Sequence, residues 1–198
     1  MFKLRFQRLL VRLLIWGIQN PRIIIYRLLS SNRIFGKPIR FQPMQAVGRG
    51  KIFFEDGVKI GVYPSPFFFS TYAYIEARNP TAEIVIGENT WINNNFSAIS
   101  ESASIRIGRR CFIGANVEII DSDFHGIKVS ERSLSDAEKT RSVVIGDDVF
   151  IGSNVKIMKG VLIGVGSVIA NGSIVVGEIP SNVIAGGNPA RVLKEIEE

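Results

Sequence analysis

Isoleucine recurs at every sixth position over a long stretch near the C-terminal end of the chain. This stretch, VVIGDDVFIGSNVKIMKGVLIGVGSVIANGSIVVG, begins at Val143 and places isoleucine at Ile145, Ile151, Ile157, Ile163 and Ile169. The same spacing appears earlier over 86–92 and 107–119. A period of six matches neither an amphipathic helix nor a simple alternating strand. The repeat therefore predicts short strands joined by tight turns, with three strands completing a coil of about 18 residues.

In such a coil, each repeated isoleucine is expected to point into a prism-shaped interior. It would stack on its counterpart one coil away, at a strand spacing of about 4.8 Å. The glycine or asparagine that often follows it suits the left-handed turns at the corners. Cys111, the only cysteine, falls in a small-residue position and is predicted to fill the core. The fold class predicted is therefore all-β, a parallel β-helix.

This pattern resembles that of the hexapeptide-repeat acyltransferases. The resemblance covers roughly residues 47–194, including the closing segment AGGNPARVLKEI. It implies a left-handed β-helix, assembly as a homotrimer and an acetyltransferase that uses acetyl-CoA as donor. The left hand is implied by the resemblance alone, because the general rule for strand crossovers favours the right hand.

Charge divides the chain into two parts. Residues 1–54 carry eleven Lys or Arg and no acidic residue, whereas 55–198 carry thirteen basic and eighteen acidic residues, a net charge of −5. We predict a basic amphipathic helical segment over 1–46 and a β-helix domain over 47–198. A nucleic-acid-binding domain would need its basic patch on the folded body, so no nucleic acid is expected as a partner.

The first thirty residues predict a basic amphipathic helix, with Arg5, Arg8 and Arg12 on one face. Its longest charge-free apolar run, 13–18, is shorter than the roughly 20 residues of a membrane span, and Pro21 and Arg22 then interrupt the apolar stretch, so the segment is not expected to span a membrane. Two interpretations are left: peripheral contact of residues 1–30 with an anionic membrane surface, or a cap on the β-helix. A single cysteine fits a reducing compartment, so the predicted location is cytoplasmic, with or without contact with the inner face of the cytoplasmic membrane.

The repeat is interrupted twice. The segment DSDFHGIKVSERSLSDAEKTRS, near 121–142, has no six-residue pattern and is predicted to be a loop extruded from the β-helix. A second segment, VYPSPFFFSTYAYIEARNP at 62–80, is rich in aromatic residues and is expected to cover an edge or line a cleft. The only histidine of the chain, His125, lies where the coil stops and the first of these segments begins.

Sugar O-acetyltransferases of this family use a histidine at the start of such a loop as general base, and the resemblance implies this role for His125. A hydroxyl is a poor nucleophile, and a base whose pKa is about 6.5 can take its proton during attack on the thioester. Asp121 or Asp123 could orient the ring, and we favour Asp123. Asn94, in the stretch WINNNF, matches an asparagine that positions the acceptor, with either neighbouring asparagine as an alternative.

The resemblance also implies that acetyl-CoA lies along the last coils. The matching positions are Gly152, Ser153, Lys159, Asn171, Gly172, Arg191 and Lys194. The small residues would face the pantetheine arm, and Arg191 and Lys194 the nucleotide phosphates. A threonine-lysine pair found in some relatives is replaced here by Val176-Gly177. No metal is expected, because one histidine per chain could supply a three-histidine zinc site only on a threefold axis.

The main hypothesis is therefore an O-acetyltransferase acting on a sugar or lipid-linked sugar, in the synthesis of a surface polysaccharide such as lipopolysaccharide O-antigen or capsule. The polysaccharide setting is implied by the resemblance of the stretches DSDFH and WINNN. One alternative is an N-acetyltransferase of a nucleotide-linked amino sugar, whose amine depends less on a base. The other is a non-catalytic scaffold at the membrane surface, which would not bind coenzyme A.

Overall fold

The computed structural model describes residues 2–126 and 128–197, with side chains described from Phe6 onward. Helix α1 (Phe2–Leu28) comes first and is followed by twenty short strands. Three consecutive strands make one coil, and the described chain contains six coils. The β-helix thus follows directly after the helix.

The first three coils hold nine strands in chain order: β1 (Ile34–Phe35), β2 (Ile39–Arg40), β3 (Met44–Gly48), β4 (Lys51–Phe54), β5 (Lys59–Ile60), β6 (Ala73–Ala77), β7 (Glu83–Ile86), β8 (Trp91–Ile92) and β9 (Ser97–Ser100). The last three coils hold β10 (Ser104–Ile107), β11 (Phe112–Ile113), β12 (Glu118–Ile120), β13 (Val143–Ile145), β14 (Phe150–Ile151), β15 (Lys156–Ile157), β16 (Leu162–Ile163), β17 (Val168–Ile169) and β18 (Ile174–Val175). A hairpin of β19 (Val183–Gly187) and β20 (Ala190–Glu195) ends the fold. Two 3-10 helices, Val129–Glu131 and Ala137–Lys139, lie between β12 and β13.

The strands form three sheets along the sides of a prism. Sheet A contains the first strand of every coil, sheet B the second and sheet C the third. Pairing between coils is parallel throughout these sheets, and β20 alone pairs in the antiparallel sense, with β19. Three corners separate the sheets, named here A–B, B–C and C–A after the sheets that they join.

The interior consists of stacked aliphatic side chains in register. In sheet B, the pairs between β5, β8, β11, β14 and β17 place Ile60, Ile92, Ile113, Ile151 and Ile169 in one buried row. Cys111 is also buried, and burial is the main cause that raises the pKa of its thiol to about 11. The structure therefore confirms the predicted interior stacking and the core-filling role of Cys111.

The β-helix begins earlier than the predicted boundary at residue 47. Strands β1 to β3, which start at Ile34, already pair in parallel with the second coil. The six-residue isoleucine pattern is missing from this coil because Arg40 and Ala46 occupy positions that pair with Ile60 and Ile75. The helical segment is therefore shorter than predicted, and it ends at Leu28.

Pro21 lies inside α1, which continues through it to Leu28. Proline lacks an N–H, so the carbonyl of Gly17 loses its usual helical partner without ending the helix. By length and composition alone, Phe6–Leu28 is a candidate to cross a membrane. It has 23 residues, a mean hydropathy of 1.2 in its most apolar window, and 6% of that window buried.

The inward row predicts a large cost for truncating one of its members. Replacing Ile151 with alanine should lower the free energy of unfolding by about 2–5 kcal/mol, because a fully buried side chain is lost and a cavity is left. Replacing Phe150, its outward-facing and 48% exposed neighbour, should cost less than about 1 kcal/mol. Urea unfolding at constant protein concentration measures both, and equal losses would contradict the inward-facing assignment.

Candidate active site

The extruded loop, residues 121–142, is anchored by a buried carboxylate at its first residue. The side chain of Asp121 accepts hydrogen bonds from the backbone N–H groups of Glu101, at 2.7 Å, and Ala103, at 2.9 Å, and from the Ser100 hydroxyl, at 2.8 Å. The backbone carbonyl of Asp121 accepts from the N–H of Arg141 at 2.9 Å, which closes the base of the loop. Asp121 is therefore a structural residue of the C–A corner, and its alternative role of orienting His125 is wrong.

Glu101 holds the same loop at two further points. Its carboxylate accepts hydrogen bonds from the hydroxyls of Ser122 and Ser135, and the residue is 4% exposed. Sequence reasoning missed Glu101, because an acidic residue in a turn is usually solvated. The one signal was its position in the C–A corner of the coil that precedes the loop.

One contact of the His125 ring and one of the residue before it fix this part of the loop. The preceding residue, Phe124, has a positive φ of 60°, and its ring packs under the Arg78 guanidinium at 4.6 Å. Nδ1 of His125 lies 3.0 Å from the backbone carbonyl of Arg132. A carbonyl oxygen only accepts, so this contact assigns the ring proton to Nδ1 and leaves Nε2 of the neutral imidazole as a proton acceptor.

Asp123 does not take the orienting role predicted for it. Its carboxylate pairs with Lys159 Nζ at 2.6 Å, and among the described residues the hydrogen-bond partner of the imidazole is the Arg132 carbonyl. The side chains of Asp123 and Lys159 are both partly exposed. The backbone carbonyl of Arg132 thus fixes the tautomer of the His125 imidazole, a role that a carboxylate has in a catalytic triad.

His125 lies in an open cleft of about 590 Å³, called here the His125 cleft, lined by Asp123, His125, Gly126, Lys128, Glu131, Lys139, Arg141 and Lys159. Four of these side chains are cationic and two are carboxylates, so the cleft has a net positive charge. Such a charge favours an anionic group on the bound molecule. Lys159, predicted on the donor track, is instead a member of this cleft.

The structure does not bring Asn94 into the His125 cleft. Its side chain is fully buried in the B–C corner and bonds the segment that follows β5: Nδ2 donates to the carbonyls of Val62 and Pro66 at 3.0 and 2.8 Å, and Oδ1 accepts from the Val62 N–H at 3.1 Å. The two alternatives, Asn93 and Asn95, lie in the same corner. Within one chain Asn94 therefore anchors the segment that follows β5, and its contact with an acceptor stays a prediction.

Four of the predicted donor residues do come together. Gly152, Ser153, Asn171 and Gly172, called here the donor cluster, stack in the B–C corner of the last two coils. Asn171 Oδ1 accepts from the Ser153 N–H and the Gly172 N–H donates to the Ser153 carbonyl, both at 2.8 Å. A Cβ on Gly152 would lie 2.3 Å from Asn171 Oδ1, so the corner accepts only glycine there. Arg191 and Lys194 are exposed on β20.

The His125 cleft and the donor cluster occupy different corners of one chain. Strand β15 and its turns connect Ser153 in the B–C corner with Lys159 in the C–A corner. Six residues at about 3.3 Å each place these corners roughly 10–20 Å apart across sheet C. A single chain therefore does not bring the predicted base and the predicted donor residues into contact.

Comparison with known proteins places the repeats in a family. Residues 142–177 match the model described as bacterial transferase hexapeptide (six repeats), and residues 104–134 match the hexapeptide repeat of succinyl-transferase. The crystal structure of the polySia-specific acetyltransferase NeuO is 30% identical, with a TM-score of 0.56, and the match covers 80% of this chain and 71% of that one. The chain belongs to the hexapeptide-repeat acetyltransferase family. Its solved relatives are left-handed β-helices, in agreement with the predicted hand.

Two further hexapeptide-repeat relatives bear on the chemistry. Galactoside O-acetyltransferase of Escherichia coli is 35% identical over 57% of this chain and 64% of its own length. A structure of galactoside acetyltransferase in complex with coenzyme A is 30% identical, with a TM-score of 0.52, over 73% of this chain and 66% of that one. The chain spans 58–66% of the length of the first curated relatives that it matches.

The different environments of the two loop carboxylates predict different stability losses. Replacing Asp121 with alanine leaves the backbone N–H groups of Glu101, Ser102 and Ala103 without their acceptor, so the free energy of unfolding should fall by about 2–5 kcal/mol. Replacing Asp123 removes one partly exposed ion pair and should cost at most about 1 kcal/mol. Unfolding followed by circular dichroism checks this pair, and a larger loss for the Asp123 variant would refute the assignment of Asp121 as the anchor.

Proposed function

We propose that this chain transfers an acetyl group from acetyl-CoA to a hydroxyl group of a sugar, with His125 as general base. The observation that carries the proposal is the 3.0 Å contact between Nδ1 of His125 and the Arg132 carbonyl, in an open cleft. In the reaction, Nε2 takes the hydroxyl proton while the oxygen attacks the thioester carbonyl. The carbon–sulfur bond then breaks, the sulfur leaves with the proton from the imidazolium, and an acetyl ester remains.

The acceptor is proposed from the relatives and from the charge of the cleft. The relatives named above act, by name, on galactosides and on polySia, and a galactoside offers only hydroxyl nucleophiles. The net positive charge of the His125 cleft supports a sugar or lipid-linked sugar that carries an anionic group. An amino sugar is the competing acceptor, and the His125 variant below distinguishes the two.

The donor is proposed to lie along the donor cluster. A galactoside acetyltransferase has been crystallised with coenzyme A, and this supports the same ligand here. The small residues Gly152 and Gly172 leave the backbone of the corner open to a narrow chain such as pantetheine. Arg191 and Lys194, on β20, are the proposed partners of the nucleotide phosphates.

We further propose a homotrimer in which each site lies between two chains. If sheet C faces the threefold axis, the C–A corner of one chain meets the B–C corner of the next. This arrangement would join the His125 cleft of one copy to the donor cluster of another. An outward-facing apolar row of sheet C, formed by Ile99, Ile120, Met158 and Val176, supports this packing.

Replacing His125 with alanine should lower kcat for a sugar hydroxyl by about 10²–10⁴-fold, because the base is lost. Coenzyme A binding, measured by calorimetry, should be retained. Arg132→Ala is the matched control: it keeps the backbone carbonyl that orients the ring and should retain most of the activity. Full activity of the His125 variant would rule out the general-base role and favour an amine acceptor, and a wild type that binds no coenzyme A would favour the scaffold.

The double variant R191A/K194A should raise KM for acetyl-CoA by about tenfold or more and leave kcat nearly unchanged, because it removes charge-assisted contacts to phosphate. Its KM for the 3′-dephospho analogue should change less.

Coexpression of this variant with His125→Ala should give more activity at low acetyl-CoA than the two variants added together, because mixed trimers contain one intact site. Simple additivity would place the whole site within one chain.

A further inference from the structure

Helix α1 contacts the β-helix through one face, on which Gln19, Arg22 and Tyr26 lie among the half-buried side chains of Val11, Ile15 and Ile23. Gln19 is 3% exposed and donates from Nε2 to the Phe68 carbonyl at 2.6 Å. One turn later Arg22 donates to the Thr71 carbonyl at 2.8 Å, and the ring of Tyr26 packs on Tyr72 with centroids 4.4 Å apart. The helix therefore lies against β3 and against the segment between β5 and β6, and its larger apolar face stays unburied.

A second and larger apolar face of α1 points away from the β-helix along the length of the helix. Leu10 and Leu28 each lie nine positions from Gln19, which at about 100° per residue is half a turn away from the contact face. They are 44% and 79% exposed, and the large apolar side chains near them on the wheel are also exposed: Phe6, Leu13, Leu14, Ile24 and Ile25. A helix that served only as a cap would turn its larger apolar face toward the β-helix.

The arginines of the first half of α1 lie on the contact side. Arg8 and Arg12 are 11 and 7 positions before Gln19, within about 20° of it on the wheel. A helix in a membrane interface places its apolar face in the acyl boundary and its basic residues at the headgroups. The β-helix body lies on the same side as these arginines, so it would remain in water. A helix that crossed the bilayer would carry both arginines into hydrocarbon.

A basic groove of about 670 Å³ lies beside α1 at the open end of the β-helix. Its cationic side chains are Arg27, Arg33, Lys37 and Arg40. Among the described residues none of the four forms a salt bridge, and the first acidic residue of the chain is Glu55. Burial, and then the nearby charge of Arg27, lower the pKa of Arg40. The groove therefore concentrates positive charge that a phosphate would complement.

We propose that α1 and the basic groove form a docking surface for an anionic phospholipid bilayer. The helix lies parallel to the surface with its apolar face in the lipid, and phosphate headgroups occupy the groove. The apolar face and the uncompensated charge are adjacent, as an interfacial site requires. The inference does not depend on the acetyl-transfer proposal.

Flotation of the full chain with vesicles tests the proposal. Binding should be strong to phosphatidylcholine vesicles that contain phosphatidylglycerol and weak to phosphatidylcholine alone. The variants L10Q/L14Q and R33E/K37E should each lower the partition coefficient by about tenfold or more, since each surface cation contributes about a fivefold effect. Two controls carry the same chemical changes elsewhere, on exposed residues of the β-helix: L162Q/V165Q and R109E/R110E should bind as the wild type does.

Four results would overturn the proposal. The first is failure to bind the anionic vesicles, with circular dichroism showing a folded chain. The second is retention on the vesicles in high salt and alkaline carbonate, which would indicate a spanning helix. The third is a change of oligomeric state in L10Q/L14Q without lipid, which would mean that a second copy covers the apolar face. The fourth is a chain that does not bind vesicles but binds soluble pyrophosphate in calorimetry, with this binding lost in R33E/K37E.

Discussion

Hydrogen bonding between one coil and the next is the constraint on which this structure depends. Each short strand pairs only with its counterparts in the neighbouring coils, so no strand is stable without the coils above and below it. The stacked isoleucines keep the coils in register because any slip would move the side chains to the solvent face. A six-residue period must therefore hold wherever strands stack, and insertions are tolerated only at corners.

This constraint explains where chemistry is located. The strands present alternating inward and outward side chains with little freedom, whereas corner turns can lengthen or change without disturbing the stack. The C–A corner carries the extruded loop and His125, and the B–C corner carries the donor cluster. The buried carboxylates of Asp121 and Glu101 connect the extruded loop to the coil before it. The loop is therefore held by hydrogen bonds to the regular part of the β-helix.

The same physics explains what the sequence could and could not predict. Coils with isoleucine at the inward positions were evident from the period, and the interruption of that period located His125. The first coil was missed because Arg40 and Ala46 replace the expected aliphatic residues. Asp121 and Asp123 look equivalent in a sequence, and only burial separates the anchor from the exposed partner of Lys159. Glu101 lies far from the loop in the chain and becomes its neighbour only when coils stack.

The two ends of the β-helix differ from its middle, and this has a consequence for solubility. A stack of parallel strands exposes unpaired backbone groups at each end, which invites further copies to add as in a fibre. At one end β20 reverses direction and pairs antiparallel to β19, and at the other α1 lies beside β3 and the segment between β5 and β6. A second molecule that arrives at the C-terminal end of sheet B meets a strand of the wrong direction, which disfavours growth along the axis from that end.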